Sequence, residues 1–317
     1  MVSGTIVDYD AFDAKHDCEA LHKAMKGLGT DEAAIIAIVA NRSNKQRQVL
    51  KTTYAQMWGK DLLDALKSEL GGNFEDAILA LFRKPDEFDA WALHDAMSGA
   101  GTTESTLIEI MASRTNDEIK AIKEAYKKKY KKDLASELKG ETSGYFKRLL
   151  FSLAQASRNE GDDVDPTAAA ADAKSLFDAG EKSWGTDESR FNVIFASRSF
   201  QQLEMIFKEY ERISGKDIEK AIKGEMSGDI EDGMLAIARC ARYRPAYFAE
   251  RLYKSMKGLG TNDKALIRAM VSRSEVDLVE VKACFEMKYQ QTLEQFIKDD
   301  ISGDYKRLMI AVCRGNQ

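Results

Sequence analysis

The 317-residue sequence predicts an all-α protein built from four repeats of about five helices each. Three observations predict it. First, the stretch Met25-Lys26-Gly27-Leu28-Gly29-Thr30 returns as Met97-Ser98-Gly99-Ala100-Gly101-Thr102, Glu181-Lys182-Ser183-Trp184-Gly185-Thr186 and Met256-Lys257-Gly258-Leu259-Gly260-Thr261. Second, an acid follows each loop threonine at one unvarying remote spacing, Glu69 after Thr30, Glu141 after Thr102, Glu225 after Thr186 and Asp300 after Thr261. Third, apolar residues recur at helical spacing, as in Phe74-Ile78-Leu81, and no stretch alternates as a strand does.

The elements follow in order. Residues 1–12 form a short head, expected as an extended arm on the body. The first repeat, 13–84, opens with an amphipathic helix through Ala20-Leu21 and Ala24-Met25 that stops at the glycine loop, and Thr30 reads as the N-cap of the second helix. Glu32, Glu104, Glu188 and Asp263 suit the positive end of that helix, and Arg42, Arg114, Arg198 and Arg273 stand where it runs out, as caps or as partners in buried pairs. Helices over about 44–58 and 61–68, the acid and a closing apolar helix complete the unit. A glycine at the same short distance past every acid, Gly72, Gly144, Gly228 and Gly303, predicts a tight loop there. The other repeats are expected at 85–157, 172–244 and 245–317. The intervals between successive loop threonines are unequal, and the longest, from Thr102 to Thr186, marks a linker at 158–171, around Gly161-Asp162-Asp163-Val164-Asp165-Pro166. The chain is expected to divide there into halves of two repeats each.

Composition narrows the function. A net charge of −5 argues against holding nucleic acid or anionic lipid by bulk positive charge, so an anionic partner needs a bridging cation. The lysines Lys127-Lys128-Lys129 and Lys131-Lys132, flanked by Glu124 and Asp133, read as a solvated helix face. No signal peptide opens the chain and no apolar run is long enough to cross a bilayer, so a cytoplasmic protein is expected. Cys18, Cys240, Cys284 and Cys313 lack metal or redox spacing and read as free thiols. His16, His22 and His94 fall in no metalloenzyme motif. Nucleophile elbow, phosphate loop and EF-hand are all missing, so no enzymatic activity is expected.

The glycine loops suggest instead a calcium ligand set. Glycines let a loop turn its carbonyls outward, and calcium takes about 6 to 8 oxygen ligands, often combining carbonyls with a bidentate carboxylate. A Gly-x-Gly loop and a remote acid supply part of that shell, leaving room for water or a lipid phosphate. Leu28, Ala100, Trp184 and Leu259 stand between or beside the loop glycines, where side chains should face outward. Trp184 either dips into a bilayer interface or packs on a neighbouring loop.

Four repeats with this loop and an acid at this fixed remote spacing resemble the annexin family, over residues 13–314. Further matching stretches are Leu62 to Leu70, Ser143 to Leu149, Val271-Ser272-Arg273-Ser274 and Ser302-Gly303-Asp304-Tyr305. The resemblance implies a curved all-helical disc with calcium (Ca2+) loops on its convex face and reversible, calcium-dependent binding to acidic phospholipid membranes. It implies carbonyl ligands at Met25, Gly27 and Gly29 with Glu69, at Met97, Gly99 and Gly101 with Glu141, and at Met256, Gly258 and Gly260 with Asp300. The third repeat lacks the methionine and first glycine, so its set becomes Gly180, Ser183 and Gly185 with Glu225. Thr103 and Asn262 replace the usual Asp after the loop threonine, which predicts weaker helix caps or weaker accessory calcium contacts, more than a weaker main site. Asp89, Glu109, Arg114 and Arg268 match the family's central polar channel. No nucleic-acid partner is expected, and self-association on membranes is an extension of the same reading. Two other classes stay open: a helical scaffold for protein partners and a calcium-gated ion path.

Overall fold

Runs with apolar residues at three- and four-residue spacing bury one face best as helices, and in the computed structural model they do so. The structure describes residues 3–27, 29–180 and 187–316. The first repeat holds α1 (Ala14–Ala24), α2 (Glu32–Val39), α3 (Asn44–Trp58), α4 (Leu62–Glu69) and α5 (Gly72–Phe82). The second holds α6 (Pro85–Ala96), α7 (Glu104–Ser113), α8 (Asn116–Tyr130), α9 (Leu134–Glu141) and α10 (Gly144–Leu153). Then come α11 (Pro166–Ala179), α12 (Glu188–Ser197), α13 (Phe200–Ser214), α14 (Ile218–Glu225) and α15 (Asp229–Met256), followed by α16 (Asp263–Arg273), α17 (Leu278–Tyr289), α18 (Leu293–Asp300) and α19 (Gly303–Arg314).

α15 is two helices in one. Tyr243 leaves helical geometry at φ −165° and ψ 102°, just before Pro245, whose ring and missing N–H disfavour an unbroken helix. Its first part closes the third repeat and its second part opens the fourth, so each repeat keeps five helical segments. The longest helix of the first three repeats begins at a hydroxyl cap, Ser43, Thr115 or Ser199. The corresponding helices of all four repeats end on a left-handed residue, at Gly59, Lys131, Gly215 and Gln290.

Two expectations about organisation are corrected. α11 begins at Pro166, inside the stretch 158–171 expected as linker, because proline at the first helical position loses no hydrogen bond and Asp165 caps the helix by accepting from Thr167 and Ala168 N–H groups. Nor do the halves follow chain order. One compact unit is residues 1–85 with 248–317, and the other is residues 86–247. In the first, α5 packs on α16 and α19, and α19 also packs on α2, so the first and last repeats share one core. In the second, α10 packs on α7, α9 and α12. The unit boundary at residue 247 falls just past the break in α15.

Residues 3–9 run along the first unit as the expected arm. Ile6 N–H donates to Ser274 O at 2.9 Å, Asn316 N–H donates to Thr5 O at 3.1 Å, and Thr5 and Ile6 are buried. Gly4 permits this path: a Cβ there would stand 2.4 Å from the Glu275 backbone, which has no freedom to yield.

The repeat arginines are buried or half-buried in ion pairs. Arg42 binds Asp17 through two bonds of 2.7 and 2.8 Å, Arg114 binds Asp89 at 2.6 and 3.0 Å, and Arg198 binds Asp172 at 2.7 and 3.2 Å. In the fourth repeat Phe248 stands where those aspartates stand. There Arg273 lies over the Phe248 ring at 4.5 Å and turns to Asp277, bonded twice at 2.6 Å. All four cysteines are buried free thiols.

Candidate calcium loops

Each loop is closed at its base by one backbone bond. Asp31 N–H donates to Ala24 O at 2.9 Å, Thr103 N–H to Ala96 O at 2.8 Å, Asp187 N–H to Ala179 O at 3.0 Å, and Asn262 N–H to Ser255 O at 2.7 Å. The third loop is thus slightly longer than the others. The cap of the helix that follows is the residue after the threonine. Asp31, Asp187 and Asn262 accept from backbone N–H groups of the first helical turn, whereas Thr103 makes no such bond, and Thr30 is displaced from the cap role expected of it. Threonine is thereby free for another task.

That task is contact with the remote acid. Thr261 Oγ1 donates to Asp300 Oδ2 at 2.6 Å, and Thr30 Oγ1 reaches Glu69 Oε2 at 3.4 Å. Thr102 Oγ1 lies 3.4 Å from the Glu141 carbonyl oxygen. In the third repeat, Glu225 Cδ lies 3.6 Å from where a Cβ on Gly180 would be. Each acid is the last residue of its helix, α4, α9, α14 or α18, and the glycine that follows in the turn has φ between 59° and 68°. Helix and turn together swing the acid back to the loop.

The loop glycines adopt conformations closed to most side chains: Gly27 and Gly29 at φ 115° and 85°, Gly99 and Gly101 at 99° and 95°, and Gly258 and Gly260 at 125° and 83°. Nothing lies within 4 Å of a Cβ built on any of them, so glycine is required by backbone angle and not by space. Gly180 differs, with φ −96° and ψ −84°, and occupies the register held by methionine elsewhere. Met97 and Met256 are buried and Met25 half-buried, so the side chain anchors the loop from inside. Ala100 is exposed and Leu259 wholly so, at 110%. Leu28, Ser183, Trp184 and Gly185 lie outside the described residues.

The donor chemistry fits a hard cation. Among the described residues no three His, Cys, Asp or Glu side chains gather round one point, so a metal at these loops relies on main-chain oxygens plus one carboxylate, which suits calcium and not a nitrogen- or sulfur-seeking ion. The polar-channel residues are arranged otherwise. Asp89 and Arg114 form a buried pair with each other, and Arg114 also donates to Ser113 Oγ at 2.9 Å. Burial opposes the charge of Arg114, but Asp89 outweighs it and holds the guanidinium above its usual range. Glu109 is fully buried, at 0% exposure, in the same unit, and Arg268 is buried in the other. The Asp89–Arg114 pair has counterparts in the first and third repeats, Asp17–Arg42 and Asp172–Arg198.

The annexin family profile matches residues 16–81, 88–153, 171–237 and 247–312. The chain belongs to the annexin family. This annexin is 52% identical to annexin A13 of Homo sapiens over 95% of each chain. It is 50% identical to annexin A11 of Oryctolagus cuniculus over 99% of its own length, and it spans 62% of the length of that relative. Among solved structures, annexin III superposes with a TM-score of 0.97 at 46% identity, covering 99% of this chain and 98% of that one. A calcium-bound annexin (Sm)1 superposes with a TM-score of 0.88 at 35% identity, covering 98% and 93%. The family is known for calcium-dependent phospholipid binding, and among the described residues no helix of this annexin is long and apolar enough to cross a membrane.

Two features escape a reading of the residues alone. The Asp–Arg pairs stand at a near-constant spacing, Asp17 to Arg42, Asp89 to Arg114 and Asp172 to Arg198, yet only the arginines draw notice as repeated positions. The acidic cleft lined by Glu32, Glu69, Asp263 and Asp304 leaves no local signal, since its residues come from distant segments.

Proposed function

We propose that this annexin binds acidic phospholipid membranes reversibly when calcium rises, through the loop carbonyls and remote acids of its repeats. The observation that carries the reading is the repeated approach of an acid-bearing turn to a glycine loop, with three of the four loops held in left-handed backbone. The ligand sets are Met25, Gly27, Gly29 and Glu69; Met97, Gly99, Gly101 and Glu141; Met256, Gly258, Gly260 and Asp300; and, in the third repeat, Gly180, Ser183, Gly185 and Glu225. Calcium held there supplies the positive charge that a chain of net charge −5 lacks toward an anionic bilayer. The chain's own work is to hold the oxygens in place before binding: base bonds close the loops, glycines set the carbonyls, and threonines steady the acids. Several modest sites in one chain then multiply into avidity. The protein is placed in the cytoplasm, moving to membranes on calcium entry, without enzymatic activity.

Co-sedimentation with phosphatidylserine vesicles tests this, with calcium and then with excess chelator. Wild type should pellet with calcium and return to solution with chelator. A folded variant carrying Glu69→Gln, Glu141→Gln, Glu225→Gln and Asp300→Asn should stay in solution. Wild type remaining in the supernatant at millimolar calcium would sink the proposal.

A further inference from the structure

α17 is apolar on two faces. Leu278, Val281, Cys284 and Phe285 are buried against the body, as in any amphipathic helix. The other side carries Val279, Ala283 and Met287, with Val276 in the turn that leads in, and all four are exposed, Met287 by 75%. Their spacing of three, four and four residues keeps them in one stripe, roughly 16 Å long at the helical rise.

Nothing in the repeat pattern requires this stripe. Counted from the repeat arginine, the positions of Val279 and Met287 hold Gln48 and Gln56 in the first repeat, Lys120 and Lys128 in the second, and Glu204 and Arg212 in the third. The positions of Val276 and Ala283 are polar or charged in those repeats too. Only the fourth repeat is apolar there, and a contiguous apolar face left in water marks a contact surface.

Charge chooses the occupant. Glu280 and Glu286 border the stripe, one on each flank, whereas the two lysines of α17 turn elsewhere, Lys282 to Cys313 O at 2.8 Å and Lys288 to Glu250 at 3.1 Å. A second copy pairing through the same stripe would set these acids against their own like, and an acidic bilayer would meet them with the same sign. An apolar helix edged with lysine or arginine meets both features.

We propose that the exposed face of α17 docks an amphipathic helix of a partner protein, its apolar side on the stripe and its basic flanks on Glu280 and Glu286. The small Ala283 lets the two helices approach, and Val279 and Met287 on either side of it are the anchors. The arm of residues 3–9 marks one end of the seat: Val279 N–H donates to Ser3 O at 3.2 Å, and Glu280 accepts Ser3 N–H at 3.1 Å. The contact is separate from the glycine loops and needs no calcium.

The test uses the full chain in excess chelator and, as probe, a fluorescent amphipathic peptide of leucine and lysine, about 18 residues long so that it can form a helix. A twin with glutamate in place of lysine is the control. Fluorescence anisotropy should show the lysine peptide bound by wild type and the twin bound at least about tenfold more weakly. Val279→Gln combined with Met287→Gln puts in the residues of the first repeat, keeps the net charge and changes only exposed side chains. That variant should keep the melting temperature and bind the lysine peptide at least about tenfold more weakly. Glu286→Gln, a milder variant, should weaken binding roughly threefold. No binding by wild type overturns the proposal. So does equal binding of the twin, and so does binding that survives the double variant, which would be attraction to an acidic chain in bulk. Sedimentation equilibrium that reads a dimer for wild type and a monomer for the double variant would give the stripe to a second copy and overturn the partner helix.

Discussion

Arg273 and Asp89 show how single positions decide between structure and chemistry. With Phe248 in place of an aspartate, Arg273 finds a charge one helical turn along and a ring to lie on. Asp89 meets Arg114 in a buried ion pair, and removing one partner of a buried pair strands the other. Asp89→Asn should therefore cost about 3 kcal/mol of stability in urea unfolding; an unchanged midpoint would return Asp89 to the list of functional groups. The loop glycines allow a cleaner separation. At Gly29, φ 85° with open space beyond it means that Gly29→Ala pays only for backbone conformation, about 1 to 2 kcal/mol if the loop holds its shape. The loop can avoid that cost by turning its carbonyl away. Calorimetric calcium titration should show the first-repeat site weakened while the melting temperature moves little.

At the scale of elements, two contacts set testable limits on how segments are held. Glu294 on α18 meets Arg314 on α19 and Lys298 one turn away, and their hydrogen bonds hold its carboxyl down to about 2. A carboxylate depressed in the folded state stabilises above its unfolded value, near 4.5, and that contribution fades as pH falls toward 2. Because the ion pairs lie at the surface, with the Arg314 and Lys298 side chains exposed, solvent screening should keep the effect under about 1 kcal/mol. Glu294→Gln should lower stability at neutral pH by up to that amount, leave it unchanged near pH 2, and so flatten the acid limb between these values, measured by denaturant midpoints against pH. The arm gives a second case. Gly4→Ala sets a Cβ against the Glu275 backbone, so residues 3–7 should lift off, and hydrogen exchange at the Ile6 and Asn316 amides should speed up while the helices keep their protection.

For the whole molecule, the grouping of repeats has a consequence for fragments. Residues 86–247 form one continuous compact unit, whereas the other unit needs both chain ends. A fragment of residues 86–247 should unfold cooperatively by itself. A fragment of residues 1–157, although it contains two whole repeats, lacks α16 and α19 and leaves the faces of α2 and α5 that meet them uncovered, so it should bind a hydrophobic dye and aggregate.

Much of this architecture is open to reading because it is local. Apolar spacing specifies a helix within a few turns, glycine specifies a loop through its own φ, and an acid that returns at one unvarying spacing marks a partner to that loop four times over. Those features determine the all-helical class, the four repeats and the family, and they carry the calcium ligand set proposed above. Only the tertiary structure decided that the first and last repeats share a core, that Asp89 pairs with Arg114, that Thr30 and Thr261 meet the remote acid and leave the helix cap to the next residue, and that Glu32, Asp263 and Tyr305 face one cleft. Each of these depends on which faces meet across long stretches of chain. The free energy of that choice lies in burial summed over many side chains, to which no short motif holds the key.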